Sequence, residues 1–80
     1  MSRREIVAGR VQKFSGNQII VRVTWSDDGA PLLDVREFFT KDGEWTPMKA
    51  GFTVGIQRAR AIAAAIERAA QIAEAKHASA

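Results

Sequence analysis

Residues 32–39 of the chain read LLDVREFF, and this stretch decides the fold. It combines leucine, valine and phenylalanine, which suit a pleated surface, with the charged residues Asp34, Arg36 and Glu37. This pattern predicts a strand over residues 32–40. Because side chains alternate across a strand, we expect Asp34, Arg36 and Phe38 to share one face.

Three further strands are predicted on either side of this one. The stretch IIVRVTW is rich in β-branched residues, an upstream stretch alternates loosely, and a downstream stretch contains Pro47, which favours an edge strand or a bulge. These strands are predicted at residues 19–25, 5–14 and 44–49. Clusters of turn-forming residues separate the four strands, at residues 15–17, 27–31 and 41–43.

The pattern changes to that of a helix after residue 55. Residues 55–80 contain eleven alanines and no proline, and apolar residues recur there at three- and four-residue spacing. We predict one long helix from Ile56 to about Lys76, followed by a frayed tail over residues 77–80. Residues 1–76 then form a single domain of the α+β class: a four-stranded antiparallel sheet with one C-terminal helix over one face.

The composition favours a small protein that gains buried surface from a partner. The chain has 80 residues, of which 46% are hydrophobic, with no cysteine and one histidine. Ordering a chain of this length costs on the order of 100 kcal/mol, which a core this small offsets only narrowly. Disulfides are excluded and a metal is not expected, so we predict a homodimer without cofactors. We expect no signal peptide, no membrane span and a cytoplasmic location, with nucleoid association in a bacterium.

Positive charge is concentrated at the start of the chain. The net charge is +3, and residues 1–25 hold five basic residues against Glu5 alone. These are Arg3, Arg4, Arg10, Lys13 and Arg22. This distribution modestly favours nucleic acid or another polyanion as the partner.

All six aromatic residues lie in the sheet-forming part of the chain. Aromatic rings interleaved with arginine and lysine on an uncovered sheet face suit single-stranded nucleic acid, because unpaired bases stack on rings and cations neutralise phosphates. The alternative is that the aromatic residues form the hydrophobic core and the arginines a solvated surface. Composition alone leaves both interpretations open.

A larger pattern over residues 19–70 resembles a known family. It consists of residues 32–39, the turn at 42–44, Pro47 and Lys49, and then GFTV at residues 51–54 before the helix. The pattern is similar to the C-terminal domain of the positive-cofactor-four family of transcriptional coactivators, including its small bacterial and phage members.

The resemblance implies a homodimer that binds single-stranded DNA, melted duplex and sometimes RNA with little sequence preference. By position, Arg36 matches the family arginine of the third strand and Lys49 a basic residue before the glycine. Phe39 stands where a base-stacking tryptophan is usual, and Trp25 stands near another family aromatic. Departures from the family pattern are Asp27, Asp28, Thr46 and Ala50, where lysines or other basic residues are common, and Ala59, where an aromatic is common.

We therefore predict a non-catalytic, sequence-tolerant protein that binds single-stranded DNA, or RNA, and acts with the transcription, replication or repair machinery. Its predicted nucleic-acid contacts are Trp25, Arg36, Phe39, Lys49, Arg22, Lys13 and Arg10. Trp45, Ile62 and Ile66 are predicted to pack in the core or at the dimer contact. The alternative is a protein-interaction module on the same fold, which the acidic loop and the missing lysines favour. No nucleophile–base pair, metal-binding cluster or glycine-rich phosphate loop suggests an enzyme.

Overall fold

The fold consists of one antiparallel sheet followed by a helix. The computed structural model describes residues 5–79, so the predicted contribution of Arg3 and Arg4 lies outside the described residues. The elements are β1 (Glu5–Gln12), β2 (Gln18–Trp25), β3 (Pro31–Lys41), β4 (Glu44–Val54) and α1 (Ile56–Ser79). The strands lie in the order β1-β2-β3-β4, and each pairs with its neighbour in antiparallel fashion. The α+β prediction is confirmed.

Strand β4 is longer than the sequence pattern predicts. It continues to Val54, five residues beyond the predicted end at Lys49, and a register shift opposite β3 interrupts its pairing. Gly51 has a φ of +154°, a conformation that favours glycine. In the structure this glycine lets the strand continue past an irregularity.

Helix α1 also ends later than predicted. It includes residues 77–79, which the sequence analysis assigned to a frayed tail, whereas Ala80 lies outside the described residues. Ala78 has a high helix propensity, and Lys76 and His77 in the last turn suit the negative end of the helix dipole. These residues favour three further helical positions.

The helix covers part of one sheet face. We call this side the helix face; its apolar residues Val21, Leu33, Val35, Phe52 and Val54 line a cavity of about 250 Å³ together with Ala59, Ile62, Ala63 and Ile66 of α1. The opposite side is the open face, formed centrally by Arg10, Ile20, Arg22, Asp34, Arg36 and Phe38. Strand alternation therefore separates an apolar side from a side on which charged residues lie around Ile20 and Phe38.

A single chain buries little apolar surface. Among the described residues, only Ile20 and Phe38 are buried hydrophobic residues, with 3% and 7% of their surface exposed. Ile62 is half-buried, whereas Trp45 and Ile66 are exposed and are not core residues of one chain. Their assignment to a dimer contact stays a prediction.

Candidate nucleic-acid interface

The register of the two central strands brings basic side chains together on the open face. Arg22 of β2 lies opposite Asp34 of β3, and Ile20 lies opposite Arg36. On the other side of β2, Arg10 of β1 pairs with Ile20. Three of the predicted contact residues, which are distant in sequence, thus lie on one surface that the helix does not cover.

Asp34 lies between two of these arginines and binds both. Its side chain is almost fully buried, and its carboxylate accepts hydrogen bonds from Arg22 Nη2 at 2.6 Å and Arg36 Nη2 at 3.1 Å. Thr53 Oγ1 of β4 also donates a hydrogen bond to it, at 2.8 Å. This carboxylate therefore ties β2, β3 and β4 together, and part of the positive charge on the open face is neutralised internally.

Two opposing effects act on the Asp34 carboxyl. Burial raises its pKa, because a charged group loses hydration inside the protein. Hydrogen bonds from Arg22, Arg36 and Thr53 favour the ionised form, and together they hold the pKa below its ordinary value. Asp34 is consequently a carboxylate at neutral pH.

Arg22 is held from three sides. Its Nη1 donates to Glu5 Oε2 at 2.9 Å, in addition to the contact with Asp34. Its guanidinium carbon also lies 5.1 Å from the centre of the Phe38 ring, a cation–π distance. This contact places Phe38 beneath Arg22, so the ring is buried within one chain.

Trp25 is the last residue of β2 and is half-buried; strand alternation places it on the same side as Val21 and Val23. It lines a cavity of about 400 Å³ together with Arg22, Thr24, Leu32 and Asp27, among others. Its lining combines the apolar Trp25 and Leu32 with polar and charged side chains, a combination that can receive a planar ring with hydrogen-bonding edges.

The loop after Trp25 uses one of its two acidic residues for its own structure. Asp28 accepts hydrogen bonds from the Ser26 hydroxyl and from the backbone N–H of Ala30. The bond from Ser26, followed by that from Ala30, lowers the pKa of Asp28. Asp28 therefore has a structural use in the loop, whereas Asp27 faces the Trp25 cavity.

Two predicted contact residues lie apart from the open-face arginines. Phe39 follows Phe38 by one position, so alternation places it on the helix face, where it is half-buried. Lys13 lies in the β1–β2 turn, and its Nζ binds Glu37 Oε1 at 2.9 Å. Glu37 also accepts a bond from Asn17 at 2.9 Å, and the bonds from Asn17 and Lys13 lower its pKa. The structure does not bring Lys13 and Phe39 together with Arg36.

Among the basic residues predicted to contact nucleic acid, Arg10 and Lys49 form no ion pair within residues 5–79. Arg10 is exposed and donates one hydrogen bond, to Gln18 at 3.3 Å. Lys49 is exposed in β4, and within residues 5–79 it has no ion pair. Both side chains are free to approach an anion.

Sequence reasoning placed Asp34, Arg36 and Phe38 on one face but missed the link from Asp34 to Arg22. The period-two pattern identified the face, because alternation is a property of each strand. The cross-strand pair depends on the register between β2 and β3, which the pattern of one strand does not determine.

The described residues show neither a metal-binding cluster nor a membrane-spanning helix. Residues 5–79 contain no group of three potential metal-binding side chains. In the same part of the chain, no helix has the length and apolar character that crossing a bilayer requires.

Comparison with known proteins identifies the family. The family model described as Transcriptional Coactivator p15 (PC4) matches residues 13–64, which include β2, β3, β4 and the first part of α1. No curated protein and no solved structure matches the chain significantly. Because the matched segment spans more than half of the sequence, the chain belongs to the transcriptional coactivator p15 (PC4) family.

Proposed function

We propose that this protein binds single-stranded DNA on its open face and acts in transcription, replication or repair as a non-catalytic protein. Its family consists of single-stranded-DNA-binding transcriptional coactivators, which supports nucleic-acid binding and transcription regulation in general terms. Binding that tolerates different sequences, with RNA as a second ligand, is the finer part of this proposal.

The observation that carries the proposal is the uncovered, arginine-rich open face. Arg10, Arg22 and Arg36 lie on it across β1, β2 and β3, and the helix packs on the other side of the sheet. Cations in a row attract a polyphosphate chain and release its counterions, which makes binding dependent on salt. Such a surface suits an unpaired strand that lies across the sheet.

In the proposed complex, phosphates and bases have separate contacts. The phosphates follow the positively charged open face and contact Lys49, while a base enters the cavity beside Trp25 and stacks on the indole ring. Phe39 is a predicted second stacking residue. The bound nucleic-acid strand would reach it by passing round the edge of the sheet to the helix face. Lys13 contributes to the positive field near the β1–β2 turn.

We further propose that the protein is a homodimer. The exposed Ile66 and the apolar cavity beside it lie on the helix face, where a second copy would bury them. In that arrangement the open faces of both chains stay accessible, and one dimer offers two binding surfaces.

Fluorescence titration with oligo-dT at moderate salt tests the proposed function, with oligo-rU as a second ligand. We expect saturable binding near micromolar concentration or tighter. Trp25→Ala should weaken binding by about 1–3 kcal/mol through loss of base stacking, with little effect on folding. Phe14→Ala is the matched control, because Phe14 is a fully exposed aromatic in the β1–β2 turn. If Trp25→Ala and Phe14→Ala both bind like the parent, the stacking role of Trp25 is wrong.

A protein-interaction module is the second candidate function. Asp34 and Glu5 neutralise much of the charge on Arg22 and Arg36, and Glu37 pairs with Lys13. This internal pairing weakens the positive field. A parent protein that is folded but shows no saturable oligonucleotide binding would favour this candidate.

A further inference from the structure

Strand β4 contains a bulge at the point where it passes Arg36. Arg36 pairs with Gly51, but Phe38 pairs with Pro47, so residues 48–50 of β4 all lie opposite Glu37 alone. A bulge leaves backbone groups without their ladder partners, and these groups need other hydrogen bonds if they are shielded from water. Lys49, a predicted phosphate contact, is the central residue of this bulge.

The Arg36 side chain supplies those hydrogen bonds. Its Nη1 donates to the carbonyl oxygens of Met48 at 3.1 Å and Lys49 at 3.2 Å. Its Nε and Nη2 donate to Asp34 Oδ1 at 3.3 and 3.1 Å. One planar guanidinium thus connects a buried carboxylate to two bulge carbonyls, a geometry that a lysine ammonium does not reproduce.

Gly51 makes this close approach possible. Its φ is +154°, and a Cβ at this position would lie 2.4 Å from the Val35 carbonyl oxygen and 2.8 Å from Arg36 Cα. A side chain at residue 51 would therefore push β4 away from β3 beside Arg36. The bulge depends on the glycine for space and on the arginine for hydrogen bonds.

We infer that Arg36 is a positioning residue, which fixes the β4 bulge and thereby holds Lys49 at the edge of the open face for contact with a phosphate. This inference rests on the proposed function for the role of Lys49. In this role Arg36 is not a direct phosphate ligand, because most N–H donors of its guanidinium form hydrogen bonds within the protein.

A double-mutant cycle of Arg36→Lys and Lys49→Ala, measured by oligo-dT titration at several salt concentrations, tests the inference. Arg36→Lys keeps the charge, so a direct phosphate contact would be largely retained. If Arg36 acts through the bulge, each single variant weakens binding about fivefold and lowers the salt slope by about 0.7. The double variant is then about as weak as either single variant. Arg68→Lys is the matched control, because Arg68 is an exposed residue of α1 with no proposed contact, and it should bind like the parent.

Additive losses in the double variant, about 25-fold in total, would overturn the positioning role. So would parent-like affinity and salt slope in Arg36→Lys. Both results require that the parent binds oligo-dT, and a parent that does not bind contradicts the proposed function separately.

Amide hydrogen exchange without nucleic acid tests the same inference independently. In Arg36→Lys the amides of residues 48–51 should exchange at least about tenfold faster, because the two bulge carbonyls lose their donor and the segment opens locally. In Lys49→Ala and Arg68→Lys these amides should exchange as in the parent. Unchanged exchange in Arg36→Lys would overturn the inference whatever the outcome with oligo-dT.

Discussion

Asp34 carries a negative charge inside a face on which we propose that a polyanion binds. The carboxylate is held by Arg22, Arg36 and Thr53, and its removal would leave two arginines without their shared partner. Breaking a buried ion pair by removing one partner is strongly destabilising, because the remaining charge has lost its compensation. The arginines are partly exposed, which reduces that cost.

We predict that Asp34→Asn lowers the free energy of unfolding at pH 6 by about 2 kcal/mol. Because the pKa of Asp34 in the folded protein lies below its ordinary value of 3.8, its ionised form stabilises the fold above that value. This stabilisation is lost as the pH falls through the lowered pKa. Urea denaturation between pH 6 and pH 3, at one protein concentration, should show the deficit of Asp34→Asn shrinking in acid.

Asp27→Asn is the control, since Asp27 is an exposed loop carboxylate, and its stability should stay within about 0.5 kcal/mol of the parent. Glu37 also has a lowered pKa, so the free energy of unfolding of Asp34→Asn still decreases in acid, though less than that of the parent. A deficit of equal size at pH 6 and pH 3 would contradict the role assigned to the ionised carboxylate.

At the scale of elements, alternation predicted the central strands well. Each end of β2 and β3 lies within one residue of its predicted position. Long runs of β-branched and aromatic residues strongly favour a strand there. The end of β4 was not predictable in the same way. Pro47 predicted an edge strand or a bulge, and β4 is an edge strand with a bulge, but its continuation to Val54 depends on the pairing with β3.

For the candidate site, the sequence predicted which residues lie on the sheet better than it predicted the contacts between them. Arg22 and Arg36 were expected on the sheet and do lie on the open face, but their shared partner Asp34 depends on strand register. Phe39 was selected by resemblance to a family position, and alternation then places it on the side away from Arg36. Sequence patterns identify strands and faces, whereas cross-strand contacts require the fold.

Helix α1 presents apolar residues that one chain leaves uncovered. Ile66 has 61% of its surface exposed although it lines the cavity between sheet and helix. We predict that Ile66→Lys converts the proposed dimer to a monomer or unfolds it, because a charge on this surface would lose its hydration on association. Light scattering measures the mass, and circular dichroism reports the remaining helix.

Ala64→Lys is the matched control for this variant, because residue 64 lies about 160° around the helix from residue 66. It adds the same charge to the same helix and should leave the mass unchanged. A parent that is monomeric at micromolar concentration, or an Ile66→Lys variant that is as dimeric as the parent, would contradict the proposed dimer.

At the scale of the whole molecule, the proposed functions are divided between the two faces of the sheet. One face is apolar, carries the helix and is available to a second copy, whereas the other carries a network of arginines around one buried carboxylate. The described part of the molecule measures 53 × 35 × 18 Å, so it is thin enough for both faces to act as surfaces. A strand of nucleic acid bound to the open face would leave the apolar residues beneath the helix undisturbed.

Charge reversal on each side of the molecule tests this division most directly. Arg10→Glu lies on the open face and Arg68→Glu on the helix, and both change the net charge equally. In oligo-dT titrations over a range of salt, we predict that Arg10→Glu weakens binding about tenfold and lowers the salt slope by about 0.7, while Arg68→Glu binds nearly as the parent does. Equal losses in the two variants, or a larger loss in Arg68→Glu, would contradict binding on the open face.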